Sequence, residues 1–306
     1  MPMGSTTNAT TDAGSPPAFG TTLPPHLQKA MSRVTEIGSL PEVTTKIVEV
    51  VEDPRATAHD MHEIVKNDPG LATKILKVVN SAFYGLPSQV ASLDRAIIML
   101  GLSAVKNIAL ATSLSRLFKP GAITEQFAAR DLWSHSIAVG VCAKLLTKAA
   151  RGPHADEAFV AGLVHDMGLL IEHQLFREQL KEIVNRCMNG TEDFCTVEAE
   201  IIGANHQAFG AALAAKWKFP PGLRYAIAYH HNPMQLKPEF RNVATMTYVA
   251  DTVCCRDEYG FWLTAHKQEL SDELLATVGL TPAKIEEVSA DLPDKVEEAE
   301  GIFIDP

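Results

Sequence analysis

Side chains able to bind a metal recur along the second half of this sequence, beginning with the adjacent pair His165 and Asp166. The pair follows AFVAGLV, a small and apolar run typical of a helix buried on nearly all sides. A buried ionised carboxylate is tolerated only when it is paired or bound to a metal, and nitrogen and oxygen donors together suit Zn, Fe, Mn or Ni. On its own, however, such a dipeptide more often forms a structural hydrogen-bonded pair.

Further histidines and aspartates with the same chemistry lie on other predicted helices. They are His135, His206, His230, His231 and Asp251. Asp131 precedes His135 by four residues, which places both on one face of a helix. Each residue alone reads as a helix-terminal histidine, a first-turn acid or a salt-bridge partner. Facing helices can project such donors into one core pocket, so their order and types together indicate a metal site.

The elements that must position these donors are predicted to be helices throughout. From Leu23 onward the apolar residues follow a helical period, and no convincing alternation of period two appears. Thr57 and Ser92 are candidate N-caps, and Asp68 followed by Pro69 is the clearest helix start. One helix is expected over 155–170, carrying His165 and Asp166 near its end. The expected fold class is therefore all-α.

The length of 306 residues allows two domains or one large helical one. Residues 1–22 are rich in Ser, Thr, Gly, Ala and Pro, and we expect a flexible tail there. Lys119-Pro120-Gly121 predicts a boundary between a helical subdomain at 23–119 and a subdomain with the metal site at 120–280. Residues 281–306 carry a net charge of −6 and are expected to form a solvated acidic segment with a weaker helix from Pro282.

Charge and composition exclude several classes of protein. A formal net charge of −10 disfavours nucleic-acid binding, which needs Lys and Arg to displace counterions. No apolar run approaches the roughly 18 to 20 residues that span a bilayer, and no secretion signal is evident, so we expect a cytoplasmic protein without a membrane partner. The five cysteines, an odd number without CxxC spacing, fit reduced core thiols.

The order of the donors resembles the HD superfamily of metal-dependent phosphohydrolases. More specifically, the chain from about Leu23 to Asp257 resembles the HDOD family, the HD-related output domain of bacterial signalling proteins. The resemblance rests on LPEVTTKIVEVVEDP, NDPGLATKILKVVNSAFYG, SLDRAIIMLGLSAVKNIAL, LWSHSIAVG and FVAGLVHDMG. It implies an N-terminal helical bundle packed on an HD-like bundle. Many HDOD members are interaction or output modules that have lost the metal ligands.

This sequence retains the positions at which related proteins bind metal. The resemblance assigns a mononuclear HD set to His135, His165, Asp166 and Asp251. It assigns ligands of a second metal, as in HD-GYP phosphodiesterases, to His206, His230 and His231. Asp131 matches an acid that binds a third metal in some of those enzymes. Two departures, Leu169 in place of a lysine and HHNPMQ without the following Glu and GYP loop, argue against cleavage of cyclic di-GMP.

Two functions remain open. The first is a signalling or regulatory module that keeps a metal-bound HD site and responds to a signalling protein partner or a phosphorylated small molecule. The second is a metal-dependent phosphohydrolase acting on a nucleotide or other phosphoester, in which Asp166 bridges two ions. The cofactor is one or two divalent ions, for which we favour Fe, with Mn, Ni and Zn as alternatives.

Overall fold

A computed structural model describes residues 23–33, 40–81, 84–117, 124, 126–188 and 191–304. These residues form helices joined by turns and loops and include no β-strand, which confirms the predicted all-α class. The predicted tail at 1–22 and the predicted boundary at 119–121 lie outside the described residues. Within the described residues, no helix combines the length and the apolar character needed to cross a lipid bilayer.

The first half forms six helices, three of which begin at side-chain caps predicted from the sequence. They are α1 (Pro25–Met31), α2 (Glu42–Glu52), α3 (Ala58–Val65), α4 (Pro69–Val79), α5 (Leu93–Leu100) and α6 (Leu102–Leu114). Asp68 accepts a hydrogen bond from Leu71 N at 2.9 Å, so it caps α4 ahead of Pro69 as expected. Thr57 and Ser92 likewise cap α3 and α5. Side-chain capping therefore sets where α3, α4 and α5 begin.

The second half carries the predicted ligands. Its helices are α7 (Ala129–Ala149), α8 (Ala155–Val164), α9 (Gly168–Leu175), α10 (Arg177–Met188), α11 (Phe194–Ile201), α12 (His206–Lys216), α13 (Pro221–Tyr229) and α14 (Asn242–Arg256). Helix α7 lies at the centre and packs against both α8 and α14. Helix α6 of the first half packs against α8, so buried residues of both halves belong to one continuous core.

The C-terminal region is more ordered and more buried than the sequence suggested. It contains α15 (Asp272–Thr277) and the 22-residue α16 (Pro282–Phe303). One face of α16 packs on α7 through buried Val288, Leu292 and Val296. The helix expected from Pro282 is present, and its acidic residues Glu286, Glu287 and Asp291 are exposed to solvent. The buried face was not expected from the sequence, because the acidic residues on the opposite face dominate the composition of this amphipathic helix.

Two glycines let α7 and α8 approach closely. A Cβ atom added at Gly162 would lie 2.6 Å from the backbone N and Cα of Gly140. No side chain fits there without displacing a helix. Because His135 lies on α7 and His165 directly follows α8, this contact sets how far apart the two histidines lie.

We expect Gly162→Ala to lower the free energy of unfolding by about 3 kcal/mol, because overpacking must push α7 and α8 apart. The midpoint of urea denaturation measures this change. Gly301→Ala is the matched control, since Gly301 is helical with no atom within 4 Å of an added Cβ. That control should leave stability unchanged or raise it by up to about 1 kcal/mol. Equal midpoints for Gly162→Ala and the parent would refute the close-contact argument.

Candidate metal centre

The seven side chains predicted as metal ligands lie at five places in the second half. They are His135 in α7, His165 and Asp166 directly after α8, His206 at the start of α12, His230 and His231 directly after α13, and Asp251 in α14. Helix α8 ends at Val164, so the expectation of one helix over 155–170 is wrong. The turn that replaces it lets two adjacent side chains face one pocket, which adjacent residues of a helix do not do.

One set of ligand atoms surrounds Asp251. His135 Nε2 and His165 Nε2 lie 3.1 Å and 3.7 Å from Asp251 Oδ1. Asp166 Oδ2 lies 3.9 Å and 3.4 Å from the same two nitrogens. We call these four side chains the first ligand group. Two imidazoles and two carboxylates form a donor set suited to a divalent transition metal.

A second set surrounds the other oxygen of Asp166. His206 Nε2 and His230 Nε2 lie 3.2 Å and 3.3 Å from Asp166 Oδ1. His206 Nε2 also lies 3.2 Å from His230 Nε2 and 2.9 Å from His231 Nε2. We call Asp166 and these three histidines the second ligand group. Asp166 therefore contributes one oxygen to each group.

Hydrogen bonds fix the direction of four of the five imidazoles. The pairs are His135 Nδ1 with Tyr259 O at 3.0 Å, His165 Nδ1 with Gly162 O at 2.7 Å, His230 Nδ1 with Ile227 O at 3.0 Å, and His206 Nδ1 with the Glu198 carboxylate at 2.8 Å. In a neutral ring, Nδ1 then carries the hydrogen and Nε2 keeps its lone pair. The lone pairs of His206 and His230 face each other, which is repulsive unless a cation lies between them.

The burial of two carboxylates also favours a positive charge in this pocket. The side chains of Asp166 and Asp251 have no exposed area. Among the described residues, both carboxylate oxygens of Asp166, Oδ2 of Asp251 and Nε2 of His165 lack a hydrogen-bond partner. Unpaired buried carboxylates are costly, and bound cations are one of the few ways to offset the cost. The residues present therefore fit divalent metal, and their atoms form several groups dense enough to hold an ion.

Burial and neighbouring charges shift the pKa values of residues in both ligand groups. Burial alone would raise the pKa of Asp166, but His165 and His206 outweigh it and hold that pKa well below its usual range. Burial opposes a charge on His165, yet the facing Asp166 raises its pKa to about 10. Burial and the neighbouring histidines lower the pKa of His230 and of His231. Without metal, a proton on His165 thus supplies the positive charge of the first ligand group.

Asp131 lies outside both ligand groups. Its carboxylate accepts a hydrogen bond from the backbone N of Ala128 at 2.6 Å, as a cap at the start of α7. Leu169, which stands where the HD-GYP motif has a lysine, is buried in α9 and supplies no charge.

Glu198 was missed by the sequence reasoning. It is fully buried on α11, and its carboxylate accepts hydrogen bonds from both the backbone N and the Nδ1 of His206. Glu172 on α9 lies nearby, and burial together with repulsion by Glu198 raises its pKa well above the usual range. The signal for Glu198 in the sequence was an acidic residue at a position of an amphipathic helix that faces the core. The sequence alone did not show which ligand Glu198 would face.

Comparison with known proteins places the chain in a family. A family model described as the HDOD domain matches residues 37–233. A protein from Treponema pallidum (strain Nichols), itself without an assigned function, is 25% identical over 218 residues, which cover 69% of this chain and 42% of that protein. The chain thus spans less than half the length of this relative.

Solved structures share the fold. An HDOD domain protein of unknown function from Geobacter sulfurreducens has a TM-score of 0.75 at 21% identity, covering 90% of this chain and 97% of its own. A candidate phosphohydrolase from Shewanella amazonensis SB2B has a TM-score of 0.70 at 23% identity, with coverages of 90% and 97%. A candidate signal transduction protein from Marinobacter aquaeolei VT8 has a TM-score of 0.73 at 22% identity, with coverages of 91% and 65%.

We expect metal binding to the first ligand group to strengthen about tenfold per pH unit between pH 6 and pH 9. The reason is that His165, with a pKa of about 10 in the metal-free protein, must release its proton before it can bind. Asp166 is already ionised throughout this range because its pKa is lowered. Titration calorimetry in buffers of different ionisation enthalpy measures both the affinity and the proton released.

The second ligand group provides an internal comparison. His230 and His231 have lowered pKa values, so they hold a proton less readily than an ordinary histidine and compete with metal less than His165 does. Binding without proton release and with equal affinity at pH 6 and pH 9 would contradict the assignment of charge to His165.

Proposed function

The chain belongs to the HDOD family, and from that premise we propose that it is a regulatory module of bacterial signalling whose HD-type pocket holds a divalent metal centre. The observation that carries the proposal is the enclosure of the ligands. The ligand atoms converge within a few ångströms, yet the side chain of His231 is only 5% exposed and the side chains of Asp166 and Asp251 are not exposed at all. A centre enclosed in this way is suited to holding helices together and to reporting on their arrangement.

Particular residues would hold the metal. His135, His165, Asp166 and Asp251 would hold one ion, and Asp166 with His206, His230 and His231 would hold another. A bound divalent ion would act as a Lewis acid and would lower the pKa of a bound water. A set rich in imidazole with two carboxylates accommodates Fe, Mn, Ni and Zn, of which we favour Fe.

The closed, weakly charged pocket fits a regulatory module better than an enzyme whose metal site is open to substrate. A phosphoryl substrate needs direct access to the metal and nearby positive charge. The buried Leu169 contributes no charge, and the ligands are closed to solvent. The partner would be a signalling protein or a phosphorylated small molecule that binds one arrangement of the helices better than another. In this proposal 23–119 forms the N-terminal subdomain and 120–280 the subdomain with the metal site.

A second candidate function is metal-dependent hydrolysis of a nucleotide or other phosphoester. The observation that favours it is the position of Asp166, whose two oxygens face different ligand groups. Such a carboxylate can bridge two metal ions that act together on a phosphate. The Shewanella relative described as a candidate phosphohydrolase accords with this second function, and the Marinobacter relative described as a candidate signal transduction protein accords with the first.

Elemental analysis of protein purified in the absence of air tests the metal centre. We expect near-stoichiometric Fe, Mn, Ni or Zn in the parent protein. His165→Ala and Asp166→Ala each remove a direct ligand, so each should weaken metal binding by more than about 100-fold. Asp131→Asn is the matched control, since this acid lies one turn from His135 but outside the ligand groups. A parent protein that stays metal-free after each metal is added would refute the proposal.

A panel of phosphoesters then separates the two functions. For the module we expect no turnover by the metal-loaded protein. Turnover that disappears in Asp166→Ala but persists in Asp131→Asn would instead establish the hydrolase.

A further inference from the structure

His231 differs from the other four histidines in what its Nδ1 atom meets. The others face backbone carbonyls or a carboxylate, which can only accept a hydrogen bond. Nδ1 of His231 instead contacts the side-chain amide of Gln268. An amide offers either a donor or an acceptor, so the amide orientation decides which nitrogen of His231 carries the hydrogen.

Thr252 decides the orientation of that amide. Its hydroxyl lies 2.7 Å from Tyr248 O and 3.0 Å from Oε1 of Gln268, while Nε2 of the same amide is the atom in contact with Nδ1 of His231. A hydroxyl has one hydrogen, and the Tyr248 carbonyl can only accept it. With that hydrogen given to Tyr248 O, Thr252 can only accept from Gln268. The hydrogen bonds are therefore satisfied when the amide is turned by 180°, with its NH₂ toward Thr252 and Oε1 toward His231.

The amide oxygen then determines which nitrogen of the His231 imidazole carries the hydrogen. In the turned orientation, Oε1 of Gln268 accepts a hydrogen bond from Nδ1 of His231, and Nε2 of His231 keeps its lone pair. That nitrogen lies 2.9 Å from Nε2 of His206, inside the second ligand group. Asp251 cannot replace Gln268, because its Oδ2 lies 4.0 Å from Nδ1 of His231, beyond hydrogen-bond reach.

We propose that Gln268 is a positioning residue that holds His231 in the tautomer able to bind metal through Nε2. The inference rests on the proposed metal centre and adds a residue beyond the matched family region, which ends at 233. It also gives Thr252, adjacent to the ligand Asp251 on α14, a role in setting the tautomer of a histidine on a different element.

Gln268 also separates the second ligand group from a cavity. The cavity has a volume of about 480 Å³, and its lining includes Thr252, Cys255, Trp262, His266 and Gln268. The amide of Gln268 thus contacts His231 and borders this space. Metal in the second ligand group should therefore reach solvent more readily once the amide is removed.

The test is a titration of the metal-free full chain with Mn²⁺ or Zn²⁺, resolving two binding steps. Gln268→Leu should weaken the step of the second ligand group about 10- to 100-fold and leave the other step unchanged. It should also speed release of that ion to a chelator. Gln268→Glu keeps an acceptor for Nδ1 and should bind at least as tightly as the parent. Gln235→Leu, an exposed site near His231 in the chain, is the matched control.

A double mutant shows whether Gln268 acts through His231. In a His231→Ala background, Gln268→Leu should cause no further loss, because the ring that it positions is absent. Equal losses in both backgrounds, or an unchanged second step in Gln268→Leu, would overturn the inference while leaving the metal centre intact. A parent that binds no metal, or only one ion, would overturn the second ligand group and the inference together.

Discussion

The burial of two carboxylates among five imidazoles is the constraint on which the rest of this structure depends. Asp166 and Asp251 have no exposed area, and their oxygens face the Nε2 atoms of buried histidines. Those nitrogens are acceptors when the rings are neutral, so the pocket is stable only with positive charge inside it. A proton on His165 meets part of this need. Divalent metal meets it for both ligand groups, which is why the arrangement supports a metal centre.

The surrounding helices are arranged so that these side chains have little freedom. Gly162 brings α8 against α7, and the backbone at Gly168 passes so close to His206 that an added Cβ would lie 1.9 Å from its carbonyl oxygen. Backbone carbonyls orient three of the rings, and Glu198 orients a fourth. These outer contacts use atoms of the packed helices themselves. The position of the ligands therefore depends on the packing of the whole second half.

The side chains that cluster in the pocket were easier to recognise from the sequence than the elements that carry them. His165 and Asp166 were recognisable because charged residues are unusual after an apolar run, and Asp68 with Pro69 predicted a helix start from local chemistry alone. The end of α8 at Val164 was missed because no Gly or Pro marks it, and packing overrides the helical pattern there. Glu198 and Gln268 were missed for a different reason. Their residue types are common on surfaces, and only the fold shows that they contact His206 and His231.

Enclosure of the centre changes what metal binding could accomplish. The ligands come from α7, α12, α14 and the turns after α8 and α13, so a bound ion would link elements that otherwise hold together through apolar contacts. A ligand that binds only the folded arrangement stabilises it by about 4 kcal/mol at a thousandfold excess over its Kd. That stabilisation is comparable to the free-energy difference between alternative packings of a helical domain. A buried metal can therefore select one arrangement of this bundle without contacting any substrate, which is the physical basis for a regulatory role.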